Sequence, residues 1–400
     1  MDTRQIDEFG ESFIQLALEI NKHIEVYVDA YYGPEGLRER VEDSAATPPK
    51  QLLEAHKSLR EIVPDSDPDR HRYLVSILNA MECTIRKLDG EEYDYIDEVE
   101  KLFGISPKLV PEAEFLKVHN NLDTYIPGKG SLAERIEMRR QDLEVSQDNI
   151  PDLVNKILCE TRARVEKLMP LISGEQVDFD FVNDKLWAAD CKYMGEYRSK
   201  VAINLDRDYD TFGLVGLVTH EAYPGHHTEL ITKENHFYQN KGYAEETCIL
   251  LFTPSSVIAE AIANTGFEIL SSETDLYEWI AKELIPSLGQ PKVEVAELYH
   301  RHKATMSLGN CGANVALLYH SGKLEEPEAI EYIETYWLMN HKEAQEVFQF
   351  IQSPLYRTYV FTYSEGYKLL EDAAKGEGKL PLFLRMINEH LLPVDLINTT

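Results

Sequence analysis

The sequence predicts a mainly α-helical protein with one small β-sheet set beside its most informative helix. Three observations carry that expectation. Apolar residues recur at three- and four-residue steps over most of the chain. One stretch, 178–205, breaks the rhythm with short alternating segments. Directly after it, Phe212-Gly-Leu-Val-Gly-Leu-Val-Thr is apolar nearly all round, the mark of a buried helix.

Taken in order, Ile6, Phe9, Phe13, Leu16, Ile20, Ile24 and Tyr27 line one face of a first helix. Tyr73, Ile77, Met81, Ile85 and Leu88 repeat the pattern. Ser131 with Glu134 forms a capping box that opens a helix to about Val145, and another helix spans 151–171. Pro127-Gly-Lys-Gly-Ser131 lacks the full phosphate-loop spacing and reads as the turn before the capping box. Val177–Val182 and Ser199–Leu205 are the strand candidates. Helical periodicity returns over 242–270, 273–287, 292–320, 326–351 and 362–374. The chain therefore divides softly near 175, into an N-terminal helical region (1–175) and a second region (176–400), packed as one continuous unit.

Asp and Glu total 70 against 40 Lys and Arg, a net charge of -30, which argues against nucleic acid or an anionic membrane as partner. Five dispersed cysteines without a CxxC fit reduced thiols. The first residues lack a basic and apolar leader, and no apolar run reaches membrane-span length, so a cytoplasmic location is expected.

The apolar helix ends in His220-Glu-Ala-Tyr-Pro-Gly-His-His227. Neutral imidazoles hold zinc, and a neighbouring carboxylate can take a proton from water at the metal. The usual HExxH places both histidines on one helix face. In a continuous helix His226 would lie ~9 Å along the axis from His220, too far for Zn–N bonds of ~2.1 Å. Pro224 and Gly225 predict a break at 223–225, because proline disfavours helical geometry before it and opens a new helix well. The break could return His226, or alternatively His227, toward His220; two unrelated histidines after a helix end is the plainer reading. Glu260 is the only charge in Ser255–Asn264, where a buried carboxylate needs a partner: a metal, or a salt bridge. Glu268, two turns on, is a candidate hydrogen-bond partner for a histidine ligand.

The string resembles the HExxPGHH signature of a domain-of-unknown-function family grouped with gluzincin-type, zincin-like metallopeptidases, near thimet oligopeptidase and thermostable carboxypeptidases. Glu260-Ala-Ile-Ala stands where that family has an EGWA-like segment, and Thr362-Tyr-Ser-Glu-Gly366 resembles its late tyrosine element. The resemblance covers roughly 175–370 and implies a zincin-like architecture. It also implies His220, His226 and Glu260 as Zn2+ ligands and Glu221 as general base. Tyr363 becomes the candidate oxyanion donor, with His227 and Tyr367 as alternatives.

The expected function is a zinc-dependent hydrolase, a metallopeptidase of short peptides, with the strand near Lys200–Leu205 offering its edge to substrate. Two other readings stay open: a non-haem iron enzyme using the same two-His-one-carboxylate set, and a silent peptide-binding relative. His300 and His302, two apart, do not share a helix face, and with Asn310, Asn314 and His320 they read as helix surface, with contact of one member to substrate as the alternative. Arg357 could bind a substrate carboxylate, against the plainer reading of a surface arginine.

Overall fold

The structure, a computed structural model, describes residues 6–185 and 187–397. Helices dominate it, and its strands form two small sheets, so the mainly α class holds. Among the described residues no helix is long and apolar enough to cross a membrane.

The strands are β1 Val28–Tyr31, β2 Gln176–Val182, β3 Ala189–Gly195, β4 Arg198–Asn204 and β5 Cys248–Leu250. β2 and β4 fall where alternation placed them. The small sheet runs β2-β4-β3, with β4 parallel to β2 and antiparallel to β3. β4 is therefore the central strand, and the expectation that 200–205 offers a free edge is corrected: both of its edges are paired. β2 and β3 hold the outer positions. The sequence of β3 is poor in β-branched residues, yet Cys191 and Tyr193 turn inward while Lys192 and Met194 face out.

A second sheet, β1 against β5, was not anticipated. The first helix stops at Asn21 instead of running to Tyr27, and the Asn21 side chain accepts from the Val28 amide at 2.9 Å as the chain turns into β1. Likewise the periodic stretch 242–270 is not one helix. Cys248–Leu250 takes the ladder against β1, and the helix begins only at Pro254, where a missing N–H costs nothing.

That helix, Pro254–Thr274, is the axis of the second region. Val257, Ile258, Ala261, Ile262, Phe267 and Leu270 are all buried, on more than one face. It packs against the helices Thr211–Glu221 and Val360–Glu377. The largest apolar cluster combines Phe13, Leu74 and Phe103 with Phe252, Val257 and Phe361, so core side chains from both sides of residue 175 pack together.

Candidate metal centre

The helix Thr211–Glu221 starts where Asp210 accepts from the Gly213 amide at 2.6 Å. It stops at Glu221, and a new helix, His226–Lys233, begins directly after Gly225. The break predicted at 223–225 is present, with a cis Tyr223–Pro224 bond inside it. The turn folds tightly back on the helix it leaves. The Gly225 amide bonds to Thr219 O at 2.9 Å, and a Cβ at Gly225 would lie 1.7 Å from the His220 carbonyl oxygen. Only glycine fits. A Cβ on Gly266 would meet the Pro224 ring at 3.0 Å, so the turn also rests on the helix that carries Glu260.

The reversal brings His226 to His220, with ring centroids 4.8 Å apart and planes nearly perpendicular. Glu260 completes the group: its Oε2 lies 3.5 Å from His220 Nε2 and 3.9 Å from His226 Nε2. One donor atom from each residue falls within 4.8 Å of the others. Donors on a tetrahedral zinc at ~2.1 Å are ~3.4 Å apart, so the set fits such an ion with small adjustments. The oxygen facing both imidazoles, Glu260 Oε2, is buried without a hydrogen-bond partner, whereas Oε1 accepts from Tyr359 at 2.9 Å. An orphaned, 4% exposed carboxylate oxygen between two imidazoles is what a cation would satisfy.

Two polar side chains flank the ligands. Asn264, one turn after Glu260, lines the same wall as His220, and Glu229 Oε2 faces His226 Nδ1 at 3.8 Å. Burial, then the neighbouring His226, lowers the His220 pKa to about 3, which keeps its lone pair available. Burial opposes charge on His226 too, but Glu229, Glu260 and Glu221 outweigh it and lift its pKa to about 10. The acidic surroundings demand one positive charge at this spot, whether a proton or a metal.

Glu221 is 7% exposed, and its Oε1 lies 4.0 Å from His220 Nε2. Burial, reinforced by Glu260, Asp190 and Asp29 against the opposing effect of His226, raises its pKa to about 8. It borders a cavity of about 350 Å³ that also receives the three ligands, Asp29 from β1, Asp190 from β3, and the tyrosines 356, 359 and 363. Burial raises the Asp29 carboxyl to about 7. Tyr363 lines the cavity wall, where the surrounding protein and the nearby Glu260 and Glu221 carboxylates keep its phenol protonated.

Comparison with known proteins adds the fold and little else. No family model matches the chain, and no curated protein does. Several solved structures are similar, two of them as follows. One is a putative lipoprotein from Colwellia psychrerythraea, 14% identical with a TM-score of 0.58, covering 91% of this chain and 68% of its own. The other is a putative lipoprotein of unknown function from Shewanella oneidensis, 16% identical with a TM-score of 0.51, covering 97% and 72%. The resemblance to the HExxPGHH, zincin-like metallopeptidase family is therefore not upheld: no family model supports it, and these structural neighbours are not described as peptidases. The site stands on its own geometry.

Several sequence candidates lie elsewhere. His227 does not join the centre as ligand or donor. It is fully buried on the other side of its helix, with Nδ1 2.8 Å from Ser199 Oγ and Nε2 2.9 Å from Glu175 Oε2. Arg162 and Tyr223 also bind Glu175, so this is a structural knot beneath the turn. Glu268 does not support a ligand either. It meets Lys303, Lys379 and Tyr367, which also removes Tyr367 from the oxyanion candidates. Arg357 pairs with buried Glu98. His300 stacks on Tyr125, Asn310 bonds the Ser307 carbonyl of the preceding helix, and His320 bonds the Ile351 carbonyl. His302 and Asn314 are buried, not on the helix surface: His302 stacks on Phe267 and lines a second cavity, and Asn314 bonds Val110 and Tyr332. Asn264, Glu229, Tyr359, Asp29 and Asp190 were not singled out for the site. Spacing could have found the first two, at i+4 from Glu260 and i+3 from His226; no local signal marks the others.

Proposed function

We propose that this chain is a zinc-dependent hydrolase that cleaves peptide bonds of short peptides. The observation that carries the reading is the unpartnered Oε2 of Glu260 facing the Nε2 atoms of His220 and His226, with Glu221 beside them. His220, His226 and Glu260 would hold the ion, and a three-residue set leaves a coordination position open, as catalytic zinc requires. Zinc bound there supplies a Lewis acid for the scissile carbonyl and makes water a nucleophile near neutral pH.

The chain's own residues do the rest. Glu221 takes the proton of the attacking water and passes it to the leaving amine; its carboxylate lies 4.0 Å from His220 Nε2 and borders the same cavity, which puts it within reach of water at the ion. Tyr363 stays protonated and faces the same cavity, so it can donate to the oxyanion of the tetrahedral intermediate. A cavity of about 350 Å³ sits at the small end of the ~300–1,000 Å³ of small-molecule sites, which suits a short peptide. The two-His-one-carboxylate set also suits non-haem iron, but Glu221 next to the ligands favours hydrolysis.

The test is metal analysis of the purified protein with a peptide-mixture cleavage assay. Zinc and cleavage products that disappear together on chelation are expected. Bound iron with oxygen uptake on turnover, or protein that takes up no metal, would overturn the reading.

A further inference from the structure

On the other side of His220 and Glu221 lies a second cavity of about 510 Å³. His220, Glu221 and Tyr363 line both cavities, which puts the second one directly beside the proposed reacting groups. Their linings differ in character. The first carries Asp29, Asp190 and Glu260. The second is walled by Phe212, Leu217, Phe267, Met306, Trp337 and Val347. Such an apolar chamber next to reactive groups selects a side chain by burying it.

Gly216 explains how the chamber stays open. It lies in the interior of the helix Thr211–Glu221, where glycine is among the poorest helix formers. No neighbour demands it: a Cβ at this position would meet nothing within 4 Å. What glycine leaves there is space, and Gly216 lines the second cavity. We infer that this cavity receives the large apolar side chain of the substrate residue beside the scissile bond, with Gly216 as its floor. The inference rests on the hydrolase reading above and names its substrate class: peptides with a bulky apolar residue at the cleavage point.

Two variants and two readouts test it. Matched peptides bearing Phe or Ala at each position flanking the scissile bond are compared by kcat/KM. Wild type should favour Phe at one of those positions by at least ~10-fold, since apolar pockets discriminate on that scale per methylene group. Gly216→Leu should collapse that ratio, and Gly216→Ala should lower it part of the way. Independently of cleavage, binding of 4-fluorophenylalaninamide is followed by fluorine NMR in the full-length protein. Its Kd should rise ~10-fold or more in Gly216→Leu. If no peptide is cleaved but that rise is seen, the hydrolase reading fails and the pocket stands. Cleavage indifferent to Phe or Ala, or equal probe binding by wild type and Gly216→Leu, would overturn the pocket.

Discussion

Replacing His227 with alanine separates the two neighbouring histidines of the motif by what each holds. His227 is fully buried and makes two side-chain hydrogen bonds, one to Ser199 Oγ at 2.8 Å and one to the Glu175 carboxylate at 2.9 Å. A neutral buried bond contributes ~1 kcal/mol and one to a charged group ~1.5–3 kcal/mol. The loss of both comes to about 3 kcal/mol. With a urea slope near ~3 kcal/mol/M the unfolding midpoint should fall by about 1 M. Zinc content and the cleavage rate per folded molecule should stay close to wild type, because His220, His226 and Glu260 do not depend on the His227 ring. Urea unfolding at fixed zinc, metal analysis and the peptide assay measure all three. An unchanged midpoint together with lost zinc would mean that His227, not His226, is the ligand.

Tyr359→Phe frees Oε1 of Glu260, and zinc affinity measured by competition with a chelator should fall ~10–100-fold with little change in fold. Tyr363→Phe should lower kcat ~100–1,000-fold and leave KM nearly unchanged if the phenol donates to the oxyanion; an unchanged kcat removes it from that role. Acid stability tests the knot beneath the turn. Burial pushes the Glu175 carboxyl up, but bonds from His227, Tyr223 and Arg162 outweigh it and hold its pKa at about 2 against the usual 4.5. A depressed carboxylate stabilises the fold fully above pH ~4.5, and that contribution, roughly 3 kcal/mol, is lost as pH falls toward 2. Glu175→Gln should therefore lose less stability than wild type across that window; parallel curves for the two proteins would contradict the assignment.

Much of the centre was legible because its logic is local. Pro224 and Gly225 placed the break at 223–225, and the clash of a Cβ at Gly225 with the His220 carbonyl shows why the residue after the proline is glycine. Glu260 stood out as a lone charge in an apolar stretch, and its unpartnered oxygen is the structural counterpart of that signal. What could not be read depends on where a new axis points or on distant pairing. The side on which His227 falls is set by the direction of the second helix. β5 is three residues long and exists only because β1, more than 200 residues earlier, pairs with it. The central place of β4 follows from strand order, which alternation does not encode. Asp29 and Asp190 meet the centre from strands far apart in sequence.

The most direct measurement is zinc content and peptide cleavage in Glu221→Gln beside wild type. Glutamine keeps the shape of the side chain and removes its ability to take a proton, while His220, His226 and Glu260 remain. Zinc should be retained at the wild-type ratio and cleavage reduced ~100–10,000-fold. Equal cleavage by the two proteins, or wild-type protein that binds no zinc, would contradict the hydrolase reading.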